Sequence, residues 1–243
     1  MNLTLALTLL FSLNAHAIKG LAMAVNVPQD LITLNVETYH NWSADGATPL
    51  IYGVPSKCYP VAILSNEPNA IAPYGTNQTP QKYAQLFRDV RARCNDMRLV
   101  IGNVSVESWA HLGGQERGAE WLAEMLPLVS TNNYAIGAHC YSSSAVWCIA
   151  QLAEIKRMIR GAELWVTEYG IATGDPQEMY KFMRWIDRHA IAGYAYTNRQ
   201  PSQCGATRQG WEITSDVNLI NCDGSLNPMG QVFSDFGRSE IAR

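Results

Sequence analysis

The feature that most constrains this chain is a short apolar run, Val61 to Leu64, that ends in the polar sequence Ser-Asn-Glu-Pro-Asn. A run without polar alternation is typical of a parallel strand that is covered on both faces. Pro68 has no backbone N–H and ends the strand directly after Glu67. Because barrels and open α/β sheets keep their chemistry at the carboxyl ends of their strands, Glu67 is predicted to lie at a functional edge.

A second apolar run, Leu164 to Thr167, ends in Glu168 and leads to Gly170. Two such glutamates suggest a pair, because glycoside hydrolysis uses one carboxyl group to protonate the leaving oxygen and another to attack or to activate water. A single glutamate at a strand end more often caps a helix or joins a surface ion pair. Two of them, with Asn66 beside the first, favour catalysis by Glu67 and Glu168.

Hydrophobic periodicity predicts eight short strands, separated by helices mainly in the second half of the chain. Seven of these strands are expected at residues 20–25, 48–54, 61–64, 97–103, 134–141, 164–168 and 191–198. The remaining strand, the second along the chain, leads into Tyr39. A length of 243 residues suits a compact (β/α)8 TIM barrel with reduced helices in its first half. The alternative is an open doubly wound sheet, but the first βα turn lacks a Gly-rich phosphate loop.

The amino terminus carries an apolar run, Leu3 to Leu13, followed by the small-x-small sequence Ala15-His16-Ala17. This pattern predicts a signal peptide over residues 1–17, although no Lys or Arg precedes the run. The alternative is an apolar first strand or helix of the mature fold. The run is too short to span a membrane. Residues 18–243 would then form a single catalytic domain, secreted or periplasmic.

Six cysteines follow the predicted leader: Cys58, Cys94, Cys140, Cys148, Cys204 and Cys222. An even number fits an oxidising compartment and allows fifteen pairings. We expect Cys204 to pair with Cys222, because both lie in the Gly- and Asn-rich segment after the last strand. Neither CxxC nor His-rich spacing indicates a zinc site, so no metal and no cofactor are expected.

Charge and aromatic content indicate what kind of molecule the chain binds. A net charge of −3, with 16% charged residues and no long basic run, gives no electrostatic footprint for nucleic acid or an anionic membrane. Seven Trp and eleven Tyr offer flat faces that can stack on sugar rings. We therefore expect a neutral polysaccharide or oligosaccharide substrate, no nucleic-acid or membrane partner, and a monomer.

The two glutamate motifs, Asn66-Glu67-Pro68 and Thr167-Glu168-Tyr169-Gly170, resemble in order and spacing those of the clan A glycoside hydrolases. These are retaining enzymes on a (β/α)8 barrel, with the acid/base after strand four and the nucleophile at the end of strand seven. Within the clan the chain looks most like family 128, compact endo-β-1,3-glucanases. In that family strands two, three, six and seven carry Tyr-Asn-Trp, Pro-Met-x-Trp/Tyr-Gly, His-Trp-Tyr and Trp-Val-Thr-Glu-Phe.

The counterparts in this chain are Tyr39-His40-Asn41-Trp42, Pro49-Leu50-Ile51-Tyr52-Gly53, His139-Cys140-Tyr141 and Trp165-Val166-Thr167-Glu168-Tyr169. The similarity runs from about Gly20 to Asn198. Three departures are an inserted His40, Cys140 in place of Trp, and Asn69 in place of the usual Asp after Glu-Pro.

The resemblance implies a role for each matched residue. Glu67 would act as general acid and then as base, its pKa raised by the neighbouring carboxylate and by enclosure, while Glu168 stays ionised and attacks the anomeric carbon. Asn66 would hydrogen-bond the 2-hydroxyl of the sugar, His139 would orient a carboxylate, and Tyr141 would donate to Glu168. Further substrate contacts are expected from Asn41 and from the aromatic candidates Tyr39, Trp42, Tyr52, Trp109 and Tyr196.

The expected function is therefore a retaining endo-glycoside hydrolase that cleaves β-1,3-glucan by double displacement. Retention predicts carboxyl groups about 5 to 5.5 Å apart, whereas inversion predicts about 6.5 to 9.5 Å. The alternative substrate is another β-glycan, such as mannan or a β-1,4-glucan. The alternative class is a secreted glycan-binding barrel that does no chemistry.

Overall fold

The structure, a computed structural model, describes residues 16–36, 38–71, 75–106, 117–129, 133–198 and 217–237. Trp109 and Cys204 lie outside these residues, as do residues 1–15 of the predicted signal peptide. The described strands are β1 (Ile18–Met23), β2 (Thr38–His40), β3 (Leu50–Ile51), β4 (Val61–Leu64), β5 (Arg98–Ser105), β6 (Tyr134–Ser142), β7 (Glu163–Ile171) and β8 (Ala192–Thr197).

These eight strands form one parallel sheet in the order β2-β1-β8-β7-β6-β5-β4-β3. Between the edge strands β2 and β3, the Thr48 N–H donates to the Tyr39 carbonyl at 2.9 Å. The sheet is thus a nearly closed barrel, and the predicted (β/α)8 fold is confirmed. The alternative of an open doubly wound sheet is wrong.

The described helices are α1 (Pro28–Leu34), α2 (Pro80–Arg93), α3 (Gly118–Met125), α4 (Ala145–Met158), α5 (Pro176–His189) and α6 (Pro228–Asp235). Two begin as predicted, with an N-cap side chain followed by proline: Thr79 Oγ1 accepts from the Lys82 N–H at 3.3 Å, and Asp175 Oδ1 accepts from the Gln177 N–H at 2.8 Å. Residues 41–49 and 52–60 join β2, β3 and β4 without a helix. The expected reduction of helices in the first half is confirmed.

Strand β3 is shorter than the expected residues 48–54. Its first residue bonds to the preceding loop: the Leu50 N–H donates to the Ser43 carbonyl at 3.1 Å. Pro49 has no N–H to give to a ladder. The segment around β3 therefore closes the barrel through loop contacts.

The core has two layers. One side chain from most strands fills the barrel interior: Ala22, Leu50, Ile63, Val100, Ala135, Trp165, Ala192 and Tyr194. Their neighbours along each strand point outward and pack under the helices. The inner layer closes the barrel below the carboxyl ends of the strands.

Two disulfides are described in full. Cys58 bonds to Cys94 at the end of α2, and Cys140 of β6 bonds to Cys148 of α4. Cys222 is also disulfide-bonded, and its predicted partner Cys204 lies outside the described residues. None of the helices within the described ranges is long and apolar enough to cross a membrane.

Candidate active site

Glu67 lies in the turn after β4, and strand β5 holds this turn. The Glu67 N–H donates to the Asn103 carbonyl at 3.1 Å, and Glu67 has a φ of 37°, in the left-handed region. Asn69 Nδ2 donates to the Ser105 carbonyl at 2.9 Å, and its Oδ1 accepts from the Ser105 N–H at 3.0 Å. An ionised Asp cannot make the first of these bonds, so the departure from the family pattern is compatible with a well-anchored turn. Glu67 and Asn66 are both buried there.

Glu168 lies beside a bulge in β7. Ala138 pairs with Val166 but His139 pairs with Glu168, so Thr167 is an extra residue in the ladder. A bulge re-aims the side chains next to it. Glu168 is 3% exposed, and β7 continues to Ile171 instead of ending at the glutamate.

His139 brings the two glutamates together. Its Nδ1 atom lies 3.0 Å from Glu67 Oε1 and 3.6 Å from Glu168 Oε2. The sum of these distances is the greatest separation that the two oxygens can have, and it barely reaches the lower limit of about 6.5 Å for inverting enzymes. The two carboxylates therefore form one buried cluster.

The two oxygens of Glu168 have different surroundings. The Tyr141 hydroxyl donates to Oε2 at 2.9 Å, whereas no donor of the described residues bonds to the buried Oε1. Burial raises the pKa of Glu168 to about 7; the charge of Glu67 also raises it, while His139 and Tyr141 act in the opposite direction. Glu168 therefore loses its proton near neutral pH, and the ionised form expected for a nucleophile is present above this pKa, because enclosure in the barrel penalises its charge.

The pKa values of His139 and Tyr141 respond to the same pair. Burial would lower the pKa of His139, but the charge of Glu168 and the hydrogen bond to Glu67 raise it above its usual value of 6.5. Burial, followed by the charge of Glu168, raises the pKa of Tyr141 well above its usual range. At neutral pH the Tyr141 hydroxyl is therefore a donor, and the two carboxylates favour the protonated form of the His139 ring between them.

An aromatic wall continues from the carboxylates. Tyr141 and Tyr196 meet edge to face with ring centroids 5.9 Å apart, and Tyr196 meets Trp42 in the same way at 6.1 Å. Burial, together with the charge of Glu168, raises the pKa of Tyr52 to about 12, and Tyr52 is still 45% exposed. The structure therefore brings Tyr52 and Tyr196 near Glu168, together with the expected partners His139 and Tyr141, and Trp42 packs beside Tyr196.

Two other predicted contacts lie apart from this cluster. Tyr39 packs against the outer core, and its hydroxyl accepts from Asn26 Nδ2 at 3.2 Å. The Asn41 side chain is engaged in its own turn, where Nδ2 donates to Asp45 Oδ1 at 2.9 Å. Trp109 lies outside the described residues, so its placement as a stacking residue stays a prediction.

His40, which the motif comparison marked only as an insertion, is buried beneath the site. Alternation along β2 turns Tyr39 outward and His40 inward. His40 Nε2 lies 2.6 Å from the Thr167 carbonyl, and burial lowers the pKa of His40 to about 4. The neutral ring therefore donates to the backbone of the residue that precedes Glu168. The alternation of side chains along the strand was the sequence signal that could have predicted a buried His40.

The arrangement can carry out acid–base and nucleophilic chemistry on a neutral substrate, because it holds two buried carboxyl groups and a histidine in contact. Within the described ranges, no group of three or more His, Cys, Asp or Glu side chains is placed to hold a metal ion. Paired carboxylates at the carboxyl ends of the strands of a parallel barrel define a barrel of the glycosidase type.

Comparison with known proteins agrees with this class. The chain belongs to the glycosyl hydrolase catalytic core family, whose profile matches residues 35–233. None of the curated protein sequences compared with the chain matches it.

Three solved structures illustrate the similarity of fold. A GH128 subgroup VI exo-β-1,3-glucanase from Aureobasidium namibiae is 16% identical with a TM-score of 0.65, and the match covers 90% of this chain and 97% of that one. A GH128 subgroup IV endo-β-1,3-glucanase from Lentinula edodes is 14% identical with a TM-score of 0.66, and the match covers 91% of this chain and 100% of that one. A GH128 subgroup VII oligosaccharide-binding protein from Cryptococcus neoformans is 18% identical with a TM-score of 0.63, and the match covers 91% of this chain and 93% of that one. At these identities the likeness concerns the fold. The resemblance to the glycoside hydrolases is confirmed by the family profile, and the barrel has the fold of these GH128 structures.

Proposed function

We propose that the protein is a retaining endo-glycoside hydrolase that cleaves β-1,3-glucan. The observation that carries the proposal is the shared contact of both buried glutamates with one nitrogen, His139 Nδ1. Burying two carboxylates away from water costs free energy. A protein that only binds glycans does not require such a pair, whereas glycoside hydrolysis does.

In the first step, Glu67 would give its proton to the glycosidic oxygen while Glu168 attacks the anomeric carbon. The bond from that carbon to the leaving oxygen breaks, and a glycosyl ester forms on Glu168. In the second step, Glu67 takes a proton from water, and the water oxygen displaces Glu168 from the sugar. Both displacements invert the anomeric centre, so its configuration is retained overall.

The different surroundings of the two carboxylates support this division of roles. Tyr141 holds one oxygen of Glu168, and no described donor bonds to the other, which leaves Oε1 available for attack. His139 lies at hydrogen-bond distance from Glu67 and can respond when that residue loses or regains its proton. Asn66 is proposed to bond the sugar 2-hydroxyl from its buried position beside Glu67.

The choice of β-1,3-glucan rests on the two relatives described as β-1,3-glucanases and on the aromatic wall. One of those relatives is described as exo-acting and the other as endo-acting, so the mode of attack must be read from the products. Trp42, Tyr52 and Tyr196 would supply the apolar faces that stack on sugar rings.

The test is a product profile on laminarin, mannan, carboxymethylcellulose and mixed-linkage glucan. Glu67→Gln and Glu168→Gln should each abolish turnover. Glu163→Gln is the matched control, because Glu163 lies on the same strand at the far end of the barrel and pairs with Arg98. NMR of the first product should show the β-anomer, and a range of oligosaccharides should precede glucose.

The other outcomes point to different functions. Turnover of another glycan alone would refute the substrate and keep the mechanism. Binding of laminarin without turnover by the wild type would refute catalysis and favour an oligosaccharide-binding barrel, the description given to the Cryptococcus neoformans relative.

We also propose that the protein is secreted as a monomer, with cleavage after Ala17. Cleavage there would leave β1 whole, because that strand begins at Ile18. It would remove the contact of His16 with Asp187, the hydrogen bond from the Ala17 N–H to Asp187 and the packing of Ala17 against the core. Amino-terminal sequencing of the exported protein should begin with Ile18, and light scattering should give the mass of one chain. A retained leader would refute the first statement.

A further inference from the structure

Asn103 occupies an unusual place in the middle of the barrel. It is fully buried in β5, where Gly102 pairs with Gly137 and Val104 pairs with Ala138, so that Asn103 is the extra residue of a bulge. Its φ of 48° lies in the left-handed region, which Asn adopts more readily than most residues. The bulges at Asn103 and Thr167 lie on either side of β6 and are in contact through their side chains.

Every polar group of the Asn103 side chain has a partner. Nδ2 donates to the Leu64 carbonyl at 3.1 Å and to the Val100 carbonyl at 3.0 Å. Oδ1 accepts from the Thr167 hydroxyl at 3.0 Å. The Asn103 main chain also accepts the Glu67 N–H at 3.1 Å. One residue thus contacts the turn that carries one glutamate and the residue next to the other.

The barrel leaves space for this side chain at the neighbouring strand. A methyl group added to Gly137 would lie 1.8 Å from Asn103 Oδ1 and 3.1 Å from the Thr167 hydroxyl oxygen. A glycine in a strand often marks a site where another group approaches closely. Gly137 of β6 therefore leaves room for the Asn103 side chain of β5 to reach the Thr167 hydroxyl of β7.

We propose that Asn103 and Thr167 are positioning residues that fix Glu67 and Glu168 relative to each other, an inference that rests on the proposed function. Asn103 does not touch the reacting atoms. It acts through the backbone of Glu67 on one side and through the bulge of β7 on the other. His40 completes the second side, because its ring donates to the Thr167 carbonyl.

The test uses Thr167→Val, which keeps the branched shape and deletes the hydroxyl group that joins the two bulges. Small displacements of reacting groups cost one or two orders of magnitude in rate, so kcat should fall by at least about tenfold while KM changes little. The acid limb of the pH–rate profile should also move, because the separation of the carboxylates helps set their protonation. Thr167→Ser retains the donor and should keep both properties near those of the wild type.

Tyr83→Phe is the matched control for the loss of a buried hydroxyl group. The Tyr83 hydroxyl donates to the Leu64 carbonyl at 2.7 Å and accepts from the Gly102 N–H at 2.9 Å, so it joins β4 to β5 from the helix side. Its loss should lower thermal stability but leave kcat and the pH profile unchanged. If Thr167→Val behaves in the same way, the positioning role is refuted and the link is only structural.

The NMR titration of the His139 ring separates this inference from the proposed function. Its midpoint should shift in Thr167→Val and stay in place in Tyr83→Phe, whether or not any glycan is cleaved. A wild type without turnover would refute the proposed function alone. An unchanged His139 midpoint in Thr167→Val would refute the coupling of the two glutamates.

Discussion

Replacing Glu168 with Gln should increase the stability of the protein relative to the wild type as the pH rises from 4 to 8, although it should also abolish turnover. The reason is the buried carboxyl group, whose pKa is raised to about 7, chiefly by burial and then by the charge of Glu67. An acid that holds its proton more tightly in the folded state stabilises that state at low pH. This contribution is fully present below the unfolded pKa and is lost as the pH rises through the folded pKa.

The interval from 4.5 to about 7 corresponds to a free energy of about 3 kcal/mol. Gln has no such titration, so the free energy of unfolding of the variant relative to that of the wild type should increase by about this amount between pH 4 and pH 8. His139 acts in the same direction. Its pKa is raised partly by Glu168, so the wild type also loses the stabilisation from its protonated ring as the pH rises.

Equilibrium denaturation in urea at pH 4, 6 and 8 measures this difference. Tyr83→Phe serves as a reference, because burial raises the pKa of Tyr83 above its usual value of 10 and its effect should be the same at all three pH values. A constant difference between Glu168→Gln and the wild type across this range would refute the reasoning. So would a variant that becomes relatively less stable as the pH rises.

Three further predictions concern the surroundings of the pair. Tyr141→Phe removes the donor 2.9 Å from Glu168 that lowers the pKa of this carboxyl group, so the acid limb of kcat/KM against pH should move to higher pH. The value of kcat should fall about tenfold or more, and an acid limb that does not move would contradict the prediction. The pKa of His40 is about 4 instead of 6.5, so the stability that its neutral ring contributes should be lost as the pH drops through this range. In thermal melts His40→Gln should gain up to about 3 kcal/mol relative to the wild type between pH 7 and pH 4, and a constant difference between the two proteins would refute this. Replacing Cys140 and Cys148 with Ala should lower the free energy of unfolding, measured in denaturant, by about 2 to 3 kcal/mol, because their disulfide closes a loop with a sequence separation of 8. An unchanged free energy of unfolding would refute this stabilising effect.

The barrel and its two glutamates could be predicted because each depends on a local pattern. Apolar runs without alternation identify buried parallel strands, and Thr79-Pro80 and Asp175-Pro176 mark helix starts. The chain order of the strands then places Glu67 and Glu168 at the same edge of the barrel. His139 and Tyr141 follow from the alternation along β6, which directs both toward that edge.

The supporting contacts could not be predicted in the same way, because they depend on bulges. An extra residue in a strand changes the face to which later side chains point, and a single sequence gives few signs of it. Gly102-Asn103 was one such sign, since a glycine within a strand often marks a bulge. Tyr39 shows the opposite case, because its motif indicated a stacking residue while the strand turned it toward the outer core.

These contacts bear on which part of the site can vary. The backbone of Glu67 is held by β5, and Glu168 lies within β7 beside a bulge that contacts β5. Their separation is therefore set by the cross-section of the barrel and not by the loops above it. The aromatic side chains, in contrast, come from β8 and from the loops after β2 and β3, which include the half-exposed Tyr52. If the proposed function holds, changes in those loops should alter which sugar the cleft accepts, while the spacing of the two carboxylates, and hence the stereochemical course, should stay the same.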